Sequence, residues 1–123
     1  MRHVNSYLTG MAAVLLLMTG CNRAESPSEV REDVAEARQE GAEDVAEKQA
    51  DLAQDRADSG QVLNESTAEN RYELLIAEAD AEREVALEQC EALSGSPQEA
   101  CKELADERYE SSKAAAERER GRM

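Results

Sequence analysis

Cys90-Glu91-Ala92-Leu93-Ser94-Gly95-Ser96-Pro97-Gln98-Glu99-Ala100-Cys101 is the stretch whose reading decides the fold. Ser94 to Pro97 interrupts two runs that otherwise lack helix breakers. Ser96-Pro97-Gln98-Glu99 has the form of a helix start: a serine to cap free backbone N–H groups, a proline at the first helical position, and a glutamate able to reach back to the cap. The spacing predicts one helix ending near Leu93 and another running from about Pro97 to Glu119. Two helices joined by so short a loop pack as antiparallel neighbours. Residues equidistant from the loop centre at Gly95–Ser96 then lie opposite one another. Cys90 meets Cys101 in that register. Leu87 meets Leu104, Ala86 meets Ala105, Ile76 meets Ala115 and Ala79 meets Ser112. Opposite charges meet as well, Glu78 with Lys113 and Glu73 with Arg118. One register that joins cysteines, apolar residues and charges predicts a structural disulfide, Cys90–Cys101. Closing a loop of this size stabilises by about 3 kcal/mol in the chain-entropy model. The alternatives are a free redox pair or metal ligands. Zinc would lack its usual complement, because there is no C-x-x-C and the single histidine, His3, lies near the N-terminus.

Upstream of Leu93, the apolar residues Tyr72, Leu75, Ile76, Ala79, Ala86, Leu87 and Cys90 recur at spacings of three and four, which predicts one buried helix face. Ser66 with Glu69 forms a capping box for this helix, and Asn64 is a competing cap. The last helix ends in Arg118, Arg120 and Arg122, which complement the negative end of the helix dipole. They are also the residues that would touch an anionic lipid or polymer, although a frayed helix end is the simpler reading.

Further upstream, Ser26-Pro27-Ser28-Glu29 repeats the start signal. From there to Asp58 there is no second proline and one internal glycine, Gly41, predicting about 45 Å of continuous helix. Asp58-Ser59-Gly60 ends it, with Gly60 suited to a left-handed cap. Glu32-Asp33-Val34-Ala35-Glu36 recurs eleven residues later as Glu43-Asp44-Val45-Ala46-Glu47. Eleven residues make three turns at 3.67 per turn, a straight or slightly right-handed path. The seam so drawn is Val30, Val34, Ala37, Gly41, Val45, Lys48 and Leu52. It is narrow, small and broken by Lys48. A solvated Ala/Glu helix and a weak coiled coil against another helix or another copy remain equally open. The expected fold is all-α: a long N-terminal Ala/Glu-rich helix, read as a stalk, followed by a disulfide-stapled antiparallel helical hairpin.

The N-terminus has a different character. Arg2 and His3 precede an apolar run, Met11 to Met18, and then Thr19-Gly20-Cys21. A basic start, a short apolar middle and small residues at the cut make a signal peptide. The run is too short to span a bilayer, which takes about 20 residues. Leu17 to Cys21 resembles the cleavage site of bacterial lipoproteins. Met18 stands where that family has a branched apolar residue, and Thr19 and Gly20 fit. The resemblance implies cleavage between Gly20 and Cys21 and lipidation of Cys21, whose thiol receives the diacylglyceryl group. Two or three acyl chains would then hold the protein on the membrane, where a single chain binds only weakly. Asn22 rather than aspartate after the cysteine favours the outer membrane by resemblance to enterobacterial sorting. The cysteine count agrees: three is odd, and lipidating Cys21 leaves one pair for an oxidising periplasm. The stretch from Cys90 to Gly95, with Cys101 and Ala105, resembles a segment of small proteobacterial envelope proteins of uncharacterised function, over about Tyr72 to Ala116. That resemblance implies a helical hairpin and no activity. The chain also lacks the terminal lysine by which the murein-linked helical lipoprotein is attached, ending instead in Met123.

Composition bounds the chemistry. The formal charge is −14; loss of residues 1–20 removes one arginine and no acid, giving −15. Such acidity argues against nucleic acid, whose phosphates require Lys and Arg. There is no Phe or Trp, and the Ala/Glu-rich composition reads as long helix rather than compact domain. Without histidine after residue 3, no Ser-His or Cys-His arrangement is available, and no catalytic residue, cofactor or metal site is expected. Glu32-Asp33 and Glu43-Asp44 read as solvated faces, and Ser112-Lys113 as neighbours on different faces. The expected division is a signal peptide 1–20, a lipidated tether 21–26, an acidic helix 27–58, a loop 59–65, a hairpin 66–119 with its loop at 94–97, and a tail 120–123. The expected function is a non-enzymatic structural or interaction role at the periplasmic face of a membrane, with an unknown envelope protein or self-association as partner. A thiol-based redox or stress-responsive factor using Cys90 and Cys101 is the alternative.

Overall fold

A computed structural model of the chain describes residues 24–58 and 65–122. Three helices account for nearly all of them: α1 (Pro27–Asp58), α2 (Glu65–Cys90) and α3 (Ser96–Arg120). The fold is all-α, with no strand among the described residues. Gly60, Asn64 and the whole of residues 1–23, Gly20 and Cys21 included, lie outside them.

The start of α1 is the capping box expected from its sequence. The Ser26 N–H donates to Glu29 Oε2 at 2.9 Å, and the Glu29 N–H donates to Ser26 Oγ at 3.3 Å. Each satisfies a backbone group or side chain that helix geometry would otherwise leave open. The start of α3 differs from expectation. Gly95, not Ser96, is the capping residue, and no side chain caps it. The N–H groups of Gln98 and Glu99 instead donate to the Gly95 carbonyl at 3.0 and 3.1 Å. Gly95 has φ +65° and ψ −146°, a positive-φ conformation that is essentially glycine's alone. The helix therefore begins one residue before Pro97, and the loop occupies 91–95 rather than 94–97. Similarly, α2 begins at Glu65, so Ser66 stands inside the helix rather than at its cap.

α1 packs on α2 and α2 packs on α3, while α1 and α3 do not touch. The α1 seam is the expected one: Val30, Val34, Ala37, Gly41 and Leu52 are buried, with Val45 and Lys48 half-buried. Its partner is α2 of the same chain, so α1 is not a freestanding stalk but folds back antiparallel. Close approach sets this interface. A Cβ on Gly41 would lie 2.5 Å from that of Ala81. Lys48, which interrupts the seam, reaches Glu73 at 2.9 Å. Near the far end, the Thr67 hydroxyl donates to Asp55 at 2.5 Å.

The expected hairpin is present, and the disulfide Cys90–Cys101 joins α2 to α3 with Cα atoms 5.7 Å apart. Ala86 and Ala105 line one pocket with Ala79 and Ser112, as the register requires. Ion pairs follow it to within a residue or two: Arg83–Asp106 at 2.6 Å, Arg71–Glu119 at 2.7 Å and Arg120–Glu69 at 3.4 Å. Four expected pairs differ. Glu78 is exposed and, among the described residues, forms no ion pair with Lys113. Glu73 pairs with Lys48 rather than Arg118, Ile76 lines the groove against α1 rather than facing Ala115, and Leu104 is 48% exposed rather than packed on Leu87. The reason is angular. Ala81 faces α1 and Ala79 faces α3, and at 100° per residue these directions lie about 160° apart. α2 therefore has two buried sides, not one, and the three helices form a nearly flat layer with α2 in the middle.

Candidate functional site

The antiparallel return of α1 brings three chain segments together at the disulfide end. The last turn of α2 tightens past Cys90: Glu91, Ala92 and Leu93 donate to the carbonyls of Glu88, Gln89 and Cys90. This leaves the Glu91 carbonyl pointing outward, where it accepts the Glu25 N–H at 2.8 Å. The Glu91 carboxylate turns the other way. It accepts Gln98 Nε2 at 2.8 Å and forms an ion pair with Lys102. Glu91 thus ties the residues before α1, the end of α2 and the first turns of α3. Gln98 is 3% exposed, and Cys90 is fully buried.

Beside this clasp stands an acidic group. Glu25, Asp33 and Glu88 bring one carboxylate oxygen each to within 4.8 Å of the others, all three half-buried. Burial, followed by repulsion from Asp33 and Glu91, raises the Glu25 carboxyl above its ordinary value. Burial likewise raises Glu88, with Asp33, Glu91 and Glu84 adding to the shift and Lys102 opposing it. Glu25 Oε2 is buried without a hydrogen-bond partner. Chemically the group suits a proton or a hard cation that prefers oxygen ligands. Glu29 behaves oppositely, since its capping hydrogen bonds to Ser26 hold its carboxyl below the ordinary value.

Of the sequence-predicted residues, Cys90 and Cys101 are brought together, and Gly20 and Cys21 fall outside the described residues. Described chain begins at Ala24, three residues after Cys21 and beside Glu25. Glu25, Glu88, Glu91, Gln98 and Lys102 were not singled out by sequence, and Asp33, expected on a solvated face, is half-buried because α1 turns it towards Glu25 and Glu88. The grouping of Glu25 and Asp33 with Glu88 depends on α1 returning to the hairpin loop, for which the acidic repeat held no signal.

Elsewhere the polar groups are structural. At the opposite end, the Arg120 guanidinium lies 4.3 Å from the Tyr72 ring centroid and pairs with Glu69. One of the three terminal arginines is therefore part of the α2–α3 contact. Glu32, Glu43, Asp44 and Ser112 are exposed. An open groove between α1 and α2 is lined by Lys48, Tyr72, Glu73, Ile76 and Ala77. No helix among the described residues is long and apolar enough to cross a membrane. No protein-family model matches the sequence. Neither the curated proteins nor the solved structures contain a significant match to it.

Proposed function

We propose that the chain is a small lipid-anchored protein of the bacterial envelope, held at the periplasmic face of a membrane, with the outer membrane favoured, by acyl chains on Cys21. Its role is structural or as an interaction module rather than enzymatic. The observation that carries this reading is the use of the three cysteines. Cys90 and Cys101 are consumed by the disulfide, leaving Cys21 as the odd thiol. That residue follows Thr19-Gly20 and a short apolar run, where a lipoprotein signal puts its acceptor. The disulfide also suits an oxidising compartment. Cys90 is fully buried and Cys101 half-buried, so thiol–disulfide exchange has access at the Cys101 sulfur alone.

Metabolic labelling with radioactive palmitate tests the anchor. Wild-type protein incorporates label and sediments with the outer membrane, whereas Cys21→Ala incorporates none. Equal labelling of the two would remove the basis for this address. Trapping of free thiols in cells addresses the redox alternative, and Cys90 and Cys101 are expected to remain unlabelled.

A further inference from the structure

We infer that the disulfide end of the helical layer is the surface turned towards the lipid bilayer, resting on the reading of Cys21 as the anchor. Three observations point the same way. The Glu25 N–H to Glu91 carbonyl hydrogen bond fixes the entry of the folded body beside the α2–α3 loop. Cys21 precedes Glu25 by four residues, a reach of at most about 14 Å. α2 alone has 26 residues, about 39 Å of helix. The leash is thus much shorter than the body, and it is attached at one end.

The second observation is the chemistry of that end. Ala92-Leu93-Ser94-Gly95-Ser96-Pro97 is an exposed run of six residues without a charge, in a chain that is 34% charged. Leu93, its second residue, is 40% exposed. The polar interfacial zone of a bilayer is about 5–7 Å deep on each side. An uncharged loop carrying one leucine can enter it without leaving a carboxylate unhydrated.

The third is what the alternative pose would cost. Resting the layer on its edge would press an outer helix against the headgroups. The exposed sides of α1 and α3 carry Glu36, Glu43 and Glu47, and Glu103, Glu107 and Glu110. These carboxylates run the length of each helix and are repelled by anionic lipid within about a Debye length, ~8 Å at physiological salt. The disulfide end is acidic too, but its Glu25, Asp33, Glu88 and Glu91 are half-buried, and exposed Glu29 and Glu99 stand behind the uncharged loop in the first turns of α1 and α3. The body therefore stands on its disulfide end. Arg118 and Arg122, at the other end of α3, face away from the anchoring membrane rather than touching its lipid.

The chain has no tryptophan, so single introduced tryptophans report position cleanly. Full-length lipidated protein carrying Leu93→Trp, Ala92→Trp or Arg118→Trp is reconstituted into phosphatidylcholine/phosphatidylglycerol vesicles with and without brominated acyl chains. Flotation of the vesicles is read in the same samples, and circular dichroism checks folding. Fluorescence of Leu93→Trp and Ala92→Trp should fall at least twofold more with brominated lipid than that of Arg118→Trp. Protein that floats but quenches equally at both ends, or more at position 118, overturns the orientation while leaving the anchor intact. Protein that does not float overturns the anchor, and the orientation with it.

Discussion

Gly41→Ala isolates the contact on which the return of α1 depends. An alanine there is the better helix former, by about 1 kcal/mol over glycine. On an unpartnered stalk the substitution would therefore stabilise. In the folded layer the new Cβ would sit 2.5 Å from the Ala81 Cβ and 3.1 Å from its Cα. Carbon atoms in good contact are about 3.5–4.0 Å apart. Ala81 has no side-chain torsion with which to retreat, so the helices themselves must separate by about 1 Å. Overpacking of this kind costs about 1–3 kcal/mol. The balance is a net loss of about 1 kcal/mol, or about 4–8 °C in Tm for a domain of this size. Ala81→Gly alone loses about 1 kcal/mol of helix propensity. The double variant moves the methyl group from α2 to α1, removes the 2.5 Å approach and keeps only the tight 3.1 Å contact with the residue 81 Cα, so it should be more stable than the sum of the two single losses by about 1 kcal/mol or more. Thermal and urea denaturation of the four proteins by circular dichroism gives the cycle. Additive effects, or a Gly41→Ala protein stabilised by its full propensity gain, would refute the apposition of Gly41 and Ala81.

Other expected outcomes concern the ends of the helices. Cys90→Ser with Cys101→Ser opens a loop of sequence separation 11, losing about 3 kcal/mol; a Tm change of under about 2 °C by calorimetry would mean that the staple is idle. Ser26→Ala removes the cap of α1, and urea unfolding should register a loss of about 1 kcal/mol, with Ser111→Ala, exposed on α3, as the control. Gly95→Ala forces a side chain into φ +65°, ψ −146°, at about 1–3 kcal/mol, again read by denaturation. The acidic group predicts a pH profile. Folded Glu25 and Glu88 titrate above the ordinary 4.5, so the folded state binds more protons than the unfolded one. Their contribution is greatest below that value and is lost as pH rises through the folded values. Glu29, held low by its cap, contributes above 4.5 and is lost only as pH falls through its folded value. Tm should consequently rise on mild acidification from neutral pH, and Glu88→Gln should raise neutral-pH stability and flatten that rise; an unchanged slope in Glu88→Gln would contradict the grouping.

Much of this architecture is legible in the sequence because helix punctuation is local. Ser26-Pro27-Ser28-Glu29 encodes its cap within four residues. The eleven-residue repeat picks out the α1 seam down to Gly41 and Leu52. The hairpin register follows from a short loop and two cysteines. What was not legible is direction around a helix. Equal distance from a loop fixes the height of a residue, and so Ala79 and Ala86 met their partners. It does not fix azimuth: Glu73 and Ile76, at suitable heights, point to α1 instead. Ala-rich helices aggravate this, because alanine marks a close-packed side only weakly, and α2 has two such sides. The clasp through Glu91 and Gln98 was hidden for a further reason. One of its donors, Glu25, lies far from Glu91 in sequence, while Gln98, only seven residues away, stands at a helix start, where polar residues read as solvated.

The central claim is that α1 folds back on the hairpin to give a three-helix layer with its tether at the disulfide end. Small-angle X-ray scattering of residues 22–123 tests it most directly. α1, of 32 residues, is about 48 Å long, and the hairpin about 39 Å. The folded-back layer predicts a maximum dimension of about 50–65 Å, including the residues flanking the helices. A stalk projecting from a separate hairpin would give about 85 Å or more, and that result would contradict the account.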